Sequence, residues 1–312
     1  MTGLRSPLFA VPGAMSFGDD GIGADNTLST QPEESADIPP LAKASSNVPW
    51  HYGRPSREQR DLGAGAAIVD LSYMDLSYMS YMGAEFHQGA SRGEGALDGG
   101  ELAHEPAGGS TSEPPSKPTR EQTIVGGFGE AGKFLRDDSR ISWVKVAPFG
   151  SSRAADTETD FLTFVIAALD PSHIGSLVRD WHHRGGRIAG AGAFEALRVR
   201  SGVLWPGVDD RPPNDAGLRA VGLFIDAQEW DLPALGAPVR FHEHEAGIVT
   251  SSAYHWEEGA VGLAWLDPSV PDGSTVTVGS TSGSTSASRG ILQANVEYLD
   301  PGDASQAGSV VA

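Results

Sequence analysis

Residues 161–209, FLTFVIAALDPSHIGSLVRDWHHRGGRIAGAGAFEALRVRSGVLWPGVD, hold the pattern that decides the fold. The opening run, 161–169, is apolar and reads as a buried strand. Asp170-Pro171-Ser172 follows, with a capping acid and a proline suited to the first turn of a helix. Ile174, Leu177, Val178 and Trp181 then recur at helical spacing over 173–183. Gly185-Gly186 ends that helix, because glycine reaches the left-handed conformation without a Cβ clash. A short second strand begins at Ile188, and a second helix is expected over 194–199. Strand, helix, strand and helix in so short a span describe an α+β unit whose helices cover one face of a sheet.

The flanking stretches read as additions to this centre. VPWHYGRPSREQRDLGAGAAIVDLS, residues 48–72, contains a turn at Gly53-Arg54-Pro55 and a short helix over 56–62, with Glu58 and Arg60 facing water. A strand follows at 66–70, and others are expected at 123–125 and at ISWVKV, 141–146, which alternates. After Asp209 and a turn-rich patch, short strands are expected at 218–225, 238–242, 247–252, 260–266, 274–278 and 291–298. With no helix between them, they point to a small antiparallel barrel or sandwich.

The remaining segments are poor in apolar residues. Residues 1–47 read as a flexible lead-in, and whether its one apolar island, PLFAVP at 7–12, docks on the folded region is left open. The repeat DLSYM-DLSYM, 70–79, has a five-residue period that suits neither helix nor strand. It reads as a local duplication whose Tyr and Met residues pack. Residues from about 83 to 122 read as a disordered insertion. The expected organisation is therefore a lead-in (1–47), an α+β region (48–216) carrying that insertion, a barrel (217–300) and a flexible tail (301–312).

Composition narrows the chemistry. Across 312 residues the net charge is -19, which argues against a nucleic-acid partner and against an anionic membrane surface. The absence of cysteine removes disulfides, thiolate metal sites, iron–sulfur ligation and a cysteine nucleophile. No apolar run approaches the ~18 residues of a membrane span, and no secretory signal is visible, so the cytoplasm is the expected location.

Among candidate sites, GFGEAG at 127–132 satisfies G-x-G-x-x-G, but a short charged segment follows it rather than a βαβ unit. With 40 glycines in the chain it reads as a chance match. His242 and His244 are two residues apart and are expected on one strand face, where a metal site and an ordinary solvated edge both fit. Asp70, Glu195 and Asp209 are the acids nearest apolar runs, and each also suits a structural role. They would end a strand, sit on a helix face and cap a turn. No Ser/His/Asp order or P-loop appears, and no catalytic or metal-ligating residue is assigned.

Four stretches together carry a resemblance: SPLFAVPGA (6–14), the 48–72 stretch, AFEALRVRSG (193–202) with GVD (207–209), and GAPVRFHEHEAGIVTSSAYHWEEGAVGLAWLDPSVPDGSTVTVG (236–279). They resemble the YgfZ-type folate-binding proteins of the aminomethyltransferase (glycine-cleavage T-protein) superfamily, most of all the actinobacterial branch. The resemblance implies a T-protein-like α+β fold: a truncated N-terminal domain with a ferredoxin-like unit, closed by a C-terminal antiparallel β-barrel. It implies tetrahydrofolate as the ligand, in a pocket formed by Tyr52, Asp70, Glu195 and Arg198, and a non-catalytic role in iron–sulfur protein maintenance. A tetrahydrofolate-dependent aminomethyl or methyl transferase is the alternative, and a degraded paralogue serving only as an interaction module is another. The K-G-C-Y-x-G-Q-E motif that the family places between Asp209 and Leu218 is missing, and Arg200 stands where T-proteins carry a pterin-facing acid.

Overall fold

The computed structural model describes residues 6–12, 14–15, 48–73, 87–88, 123–146, 164–205, 208–212, 217–227, 232–279 and 291–299. Its first layer is a mixed six-stranded sheet made of β1 (Ala67–Asp70), β2 (His87–Gln88), β3 (Thr123–Gly127), β4 (Ser142–Val146), β5 (Phe164–Leu169) and β6 (Arg187–Ala189). Their order is β2-β4-β5-β3-β1-β6. Among the described residues four α-helices accompany it: α1 (Pro55–Gly63), α2 (Gly129–Arg136), α3 (Ile174–His183) and α4 (Ala191–Arg200).

The order β3-α2-β4-β5-α3-β6 is a ferredoxin-like unit, with β5 lying between β3 and β4. The 48–72 stretch adds β1 inside this unit rather than at its edge. β1 runs antiparallel to β3 and parallel to β6, and so parts the two. Within the stretch expected as an insertion, His87–Gln88 pairs with Ser142 and Trp143. Most of the DLSYM repeat, from residue 74 on, lies outside the described residues.

The helices cover both faces of the sheet, not one as the sequence suggests. Along β5, Phe164, Ile166 and Ala168 join a cluster with Leu62 of α1 and Phe194 of α4. Val165, Ala167 and Leu169 join another with Phe134 of α2 and Trp181 of α3. A strand buried on both sides has no polar positions to alternate, which is why its sequence is apolar throughout.

The short charged segment after GFGEAG is helical as far as Arg136: β3 turns directly into α2 and β4 follows, a strand–helix–strand succession contrary to the expectation from the sequence. The GFGEAG glycines bring helix and strand together. A Cβ on Gly127 would stand 2.7 Å from the Cβ of Ala131, and one on Gly132 would stand 2.9 Å from the Gly127 carbonyl oxygen. Contacts that close admit no side chain.

The second layer is a closed barrel of β7 (Arg219–Asp226), β8 (Pro238–Phe241), β9 (His244–His255), β10 (Gly259–Leu266), β11 (Thr275–Gly279) and β12 (Ile291–Tyr298). Closure leaves no unpaired strand edge in it. His242 does not share a strand face with His244. It sits in the turn between β8 and β9 at φ 56, so the expected pairing of imidazoles on one face is lost. On the outside of the barrel, Ala253, Val261 and Leu263 pack against Ala196 and Val199 of α4, and this contact joins the two layers.

Candidate functional site

Asp70 ends β1 and shares the side-chain direction of Ile68, which faces α2 and α3. Its carboxyl is fully buried. Oδ1 accepts the Ser72 N–H at 2.9 Å, and Oδ2 accepts the hydroxyl of Ser6. Burial pushes this carboxyl above the usual carboxylate range, and the bonds from Ser6 and Ser72 only partly oppose it. Tyr52 lies within electrostatic reach: burial first, then Asp70 and Glu58, push its phenol upward. The Tyr52 hydroxyl oxygen is buried and finds no hydrogen-bond partner among the described residues.

The sign of the Asp70 shift makes a prediction. In the window between the ordinary carboxylate pKa and the raised one, the folded chain holds a proton that the unfolded chain has released. This contribution to stability is therefore present in acid and is lost as pH rises through the raised value. Asp70→Asn, measured by urea midpoints between about pH 4 and pH 8, should lose this part of the pH dependence. An unchanged profile would contradict the assignment.

Glu58 anchors the same region. Its Oε1 accepts the N–H groups of Tyr52 at 2.8 Å and Arg54 at 3.1 Å, and its Oε2 accepts the N–H of Gly190 at 2.9 Å. One carboxylate thus serves the chain entering α1, including its N-cap Arg54, and the N-terminus of α4. Sequence reasoning placed Glu58 in water, yet only 6% of it is exposed. An acid in the first turn after Pro55, able to reach back to the N-cap amide, was the available signal. Beside it, Gln59 donates to the Tyr254 carbonyl at 2.9 Å and accepts the Trp256 N–H at 2.9 Å, which ties α1 to the barrel.

A second constellation lies on the other face of the sheet. Arg198 of α4 donates through Nε and Nη2 to Glu195 Oε2, at 2.9 and 2.8 Å. Nη2 also reaches Ser251 Oγ at 2.7 Å, and Nη1 reaches the Val203 carbonyl at 2.8 Å and Asp209 Oδ2. The remaining Glu195 oxygen accepts the Tyr73 hydroxyl at 2.8 Å. Asp209 further accepts the hydroxyls of Thr250 and Ser251, each at 2.6 Å, and the Trp205 N–H at 2.9 Å. Burial works against the Arg198 charge, but Asp209 and Glu195 outweigh it and hold the guanidinium above its ordinary range. Burial and Glu195 push the Tyr73 phenol well up.

The four residues expected in one pocket therefore form two pairs. Tyr52 and Asp70 belong to the α2/α3 face, while Glu195 and Arg198 lie on the α4 face against the barrel. Tyr73, just past β1, bonds Glu195 and feels the charge of Asp70, so it connects the two. Among the described residues no group of His, Asp and Glu is arranged to hold a metal ion. Nor is any described helix long and apolar enough to cross a membrane.

No protein-family model matches this sequence, and no curated protein matches it. Solved structures do match. One is the glycine cleavage system aminomethyltransferase T from Bartonella henselae, with a TM-score of 0.51 and 15% identity over 82% of this chain and 92% of that one. The likeness lies in the fold, an α+β layer joined to a closed barrel as in T-proteins.

Proposed function

We propose, with the T-protein-like fold as premise, that this chain is a non-catalytic folate-binding-type protein of the YgfZ kind. Tetrahydrofolate is its ligand, and it serves the maintenance of iron–sulfur proteins in the cytoplasm through a protein partner. The observation that carries the ligand is a buried carboxyl, Asp70, within electrostatic reach of a buried Tyr52 hydroxyl that has no described partner. A pterin presents ring N–H and amino donors along one edge, and a carboxyl oxygen and a phenol hydroxyl are groups that complement them. Bound tetrahydrofolate would supply a carrier for one-carbon units. Glu195 and Arg198 stand in this proposal behind the sheet rather than against the ligand: their bonds are taken up by each other and by Tyr73, Ser251 and Asp209, and among the described residues only Tyr73 links them to Asp70. Arg200 takes no part in holding the pterin. It pairs with Glu258 at 3.2 Å, and a cation cannot accept the bonds a T-protein's acid accepts from the pterin, so in this proposal Asp70 and Tyr52 are the acceptors instead.

One observation favours the transferase alternative: the upward shift of the Asp70 carboxyl suits an acid–base group. A thermal-shift titration with tetrahydrofolate tests binding. At a hundredfold excess over Kd, a ligand of the folded state adds about 2.7 kcal/mol, a rise of several degrees. No response at millimolar ligand would remove both folate readings and leave the interaction module. Binding with turnover of a one-carbon donor, followed by chromatography, would select the transferase.

A further inference from the structure

The N-terminal residues cover the Asp70–Tyr52 pair. Pro7–Ala10 forms a 3-10 turn, capped by Ser6, whose Oγ accepts the Leu8 N–H at 3.1 Å and donates to Asp70 Oδ2. Leu8 is 2% exposed and joins the cluster of α2 and α3, with Val11 and Tyr52 packed against the same cluster. Met15 closes the segment by pairing with His51: its N–H reaches the His51 carbonyl at 2.9 Å, and its own carbonyl accepts the Trp50 N–H at 2.8 Å.

We propose that the described residues 6–12 and 14–15 form a strap that must lift before a ligand reaches Asp70, so that strap and ligand compete for access to its carboxyl. This rests on the folate reading above. Asp70 is fully buried and Ser6, itself buried, stands against its Oδ2, so a ligand's donor reaches this carboxyl only when the strap has moved. Among its described residues the strap is held by few anchors: the Ser6 hydroxyl, Leu8 and Val11 against the α2/α3 cluster, and the Met15 bridge. Segments held by few buried contacts open below the global unfolding free energy. Beneath it, the Tyr52 hydroxyl has no partner among the described residues that a ligand would have to displace. The apparent affinity of such a site is its intrinsic affinity reduced by the fraction of molecules with the strap open.

Two measurements on the full chain decide this. Native-state hydrogen exchange should show the Met15 and Trp50 amides opening with less protection than Val125 of β3 or Val249 of β9. Exchange of all four at one free energy would overturn the strap without involving any ligand. In calorimetric titrations with tetrahydrofolate, Ser6→Ala and Leu8→Ala should bind roughly tenfold more tightly than the unaltered chain, or tighter still, by raising the open fraction. Equal or weaker affinity in both variants would overturn the strap and leave the folate reading standing. No binding in any of the three proteins would overturn both. Ser6→Ala removes only a hydroxyl, so it keeps the test valid if Leu8→Ala folds poorly.

Discussion

Arg198→Met is expected to destabilise the protein by about 3–5 kcal/mol, lowering its melting temperature by roughly 6–20 °C. The guanidinium is the cation between Glu195 and Asp209, all three being buried, and a methionine of similar length would leave two carboxylates without compensation. The loss would be felt at the seam between the layers, because Asp209 also receives Thr250 and Ser251 of β9 and, through its carbonyl, the Trp265 indole N–H of β10 at 2.9 Å. Tryptophan fluorescence in a urea titration reports this directly, since Trp205 and Trp265 both bond Asp209. Adding Glu195→Gln and Asp209→Asn to Arg198→Met should recover part of the loss, because the uncompensated charges are then removed. A loss below about 1 kcal/mol for Arg198→Met would mean the network is no more than a surface-like pair.

Glu58→Ala is the second large effect, at roughly 2–4 kcal/mol. Water can reach the freed N–H groups of Tyr52 and Arg54, which are part-buried, but the Gly190 N–H is buried and would stay unpaired. Gly190 cannot move away to find another acceptor. A Cβ placed on it would stand 2.1 Å from the Trp50 carbonyl oxygen, so close is the backbone there. Glu58→Gln keeps one acceptor oxygen and should fall between the two proteins. Urea midpoints for the three decide it, and a loss under about 1 kcal/mol for Glu58→Ala would show that the N-terminus of α4 is capped by other means.

Those residues also mark how far the sequence is legible. The centre of the chain reads well because each signal there is local. Asp170 caps the turn at Pro171–His173, accepting from Ser172 at 2.8 Å, and Gly185 takes φ 81 after α3, both as the residue types predict. The barrel reads equally well, since short strands parted by turn residues have few alternatives. Partners distant in sequence are what fail to read. Glu58 lies 132 positions from Gly190, and nothing near it says that a helix N-terminus will be brought to it. That α2 and α3 lie on the face opposite α1 and α4 is illegible for a similar reason: a doubly covered strand is told from a singly covered one only by what packs on it. His242 was misplaced by a single residue, because a tight turn between β8 and β9 begins where the apolar pattern still fits a strand.

Of the candidate site, Asp70 and Glu195 are visible with Asp209 as acids beside apolar runs, and Arg198 only through the family resemblance, but their division between two sheet faces is not visible. Parity along β1 supplies it only once the register with β3 and β6 is known. Tyr73 is hidden by the DLSYM repeat, which makes it look like one of several interchangeable aromatics. Its bond to Glu195 sets it apart.

A crystal structure of the full chain grown with tetrahydrofolate examines the account at its root. The predicted result is a ferredoxin-like sheet parted by β1, a closed barrel held to α4 through Arg198, and ligand density against Tyr52 and Asp70 with Ser6 displaced. Ligand density elsewhere with Ser6 still bonded to Asp70, or a barrel that does not meet α4, would contradict it.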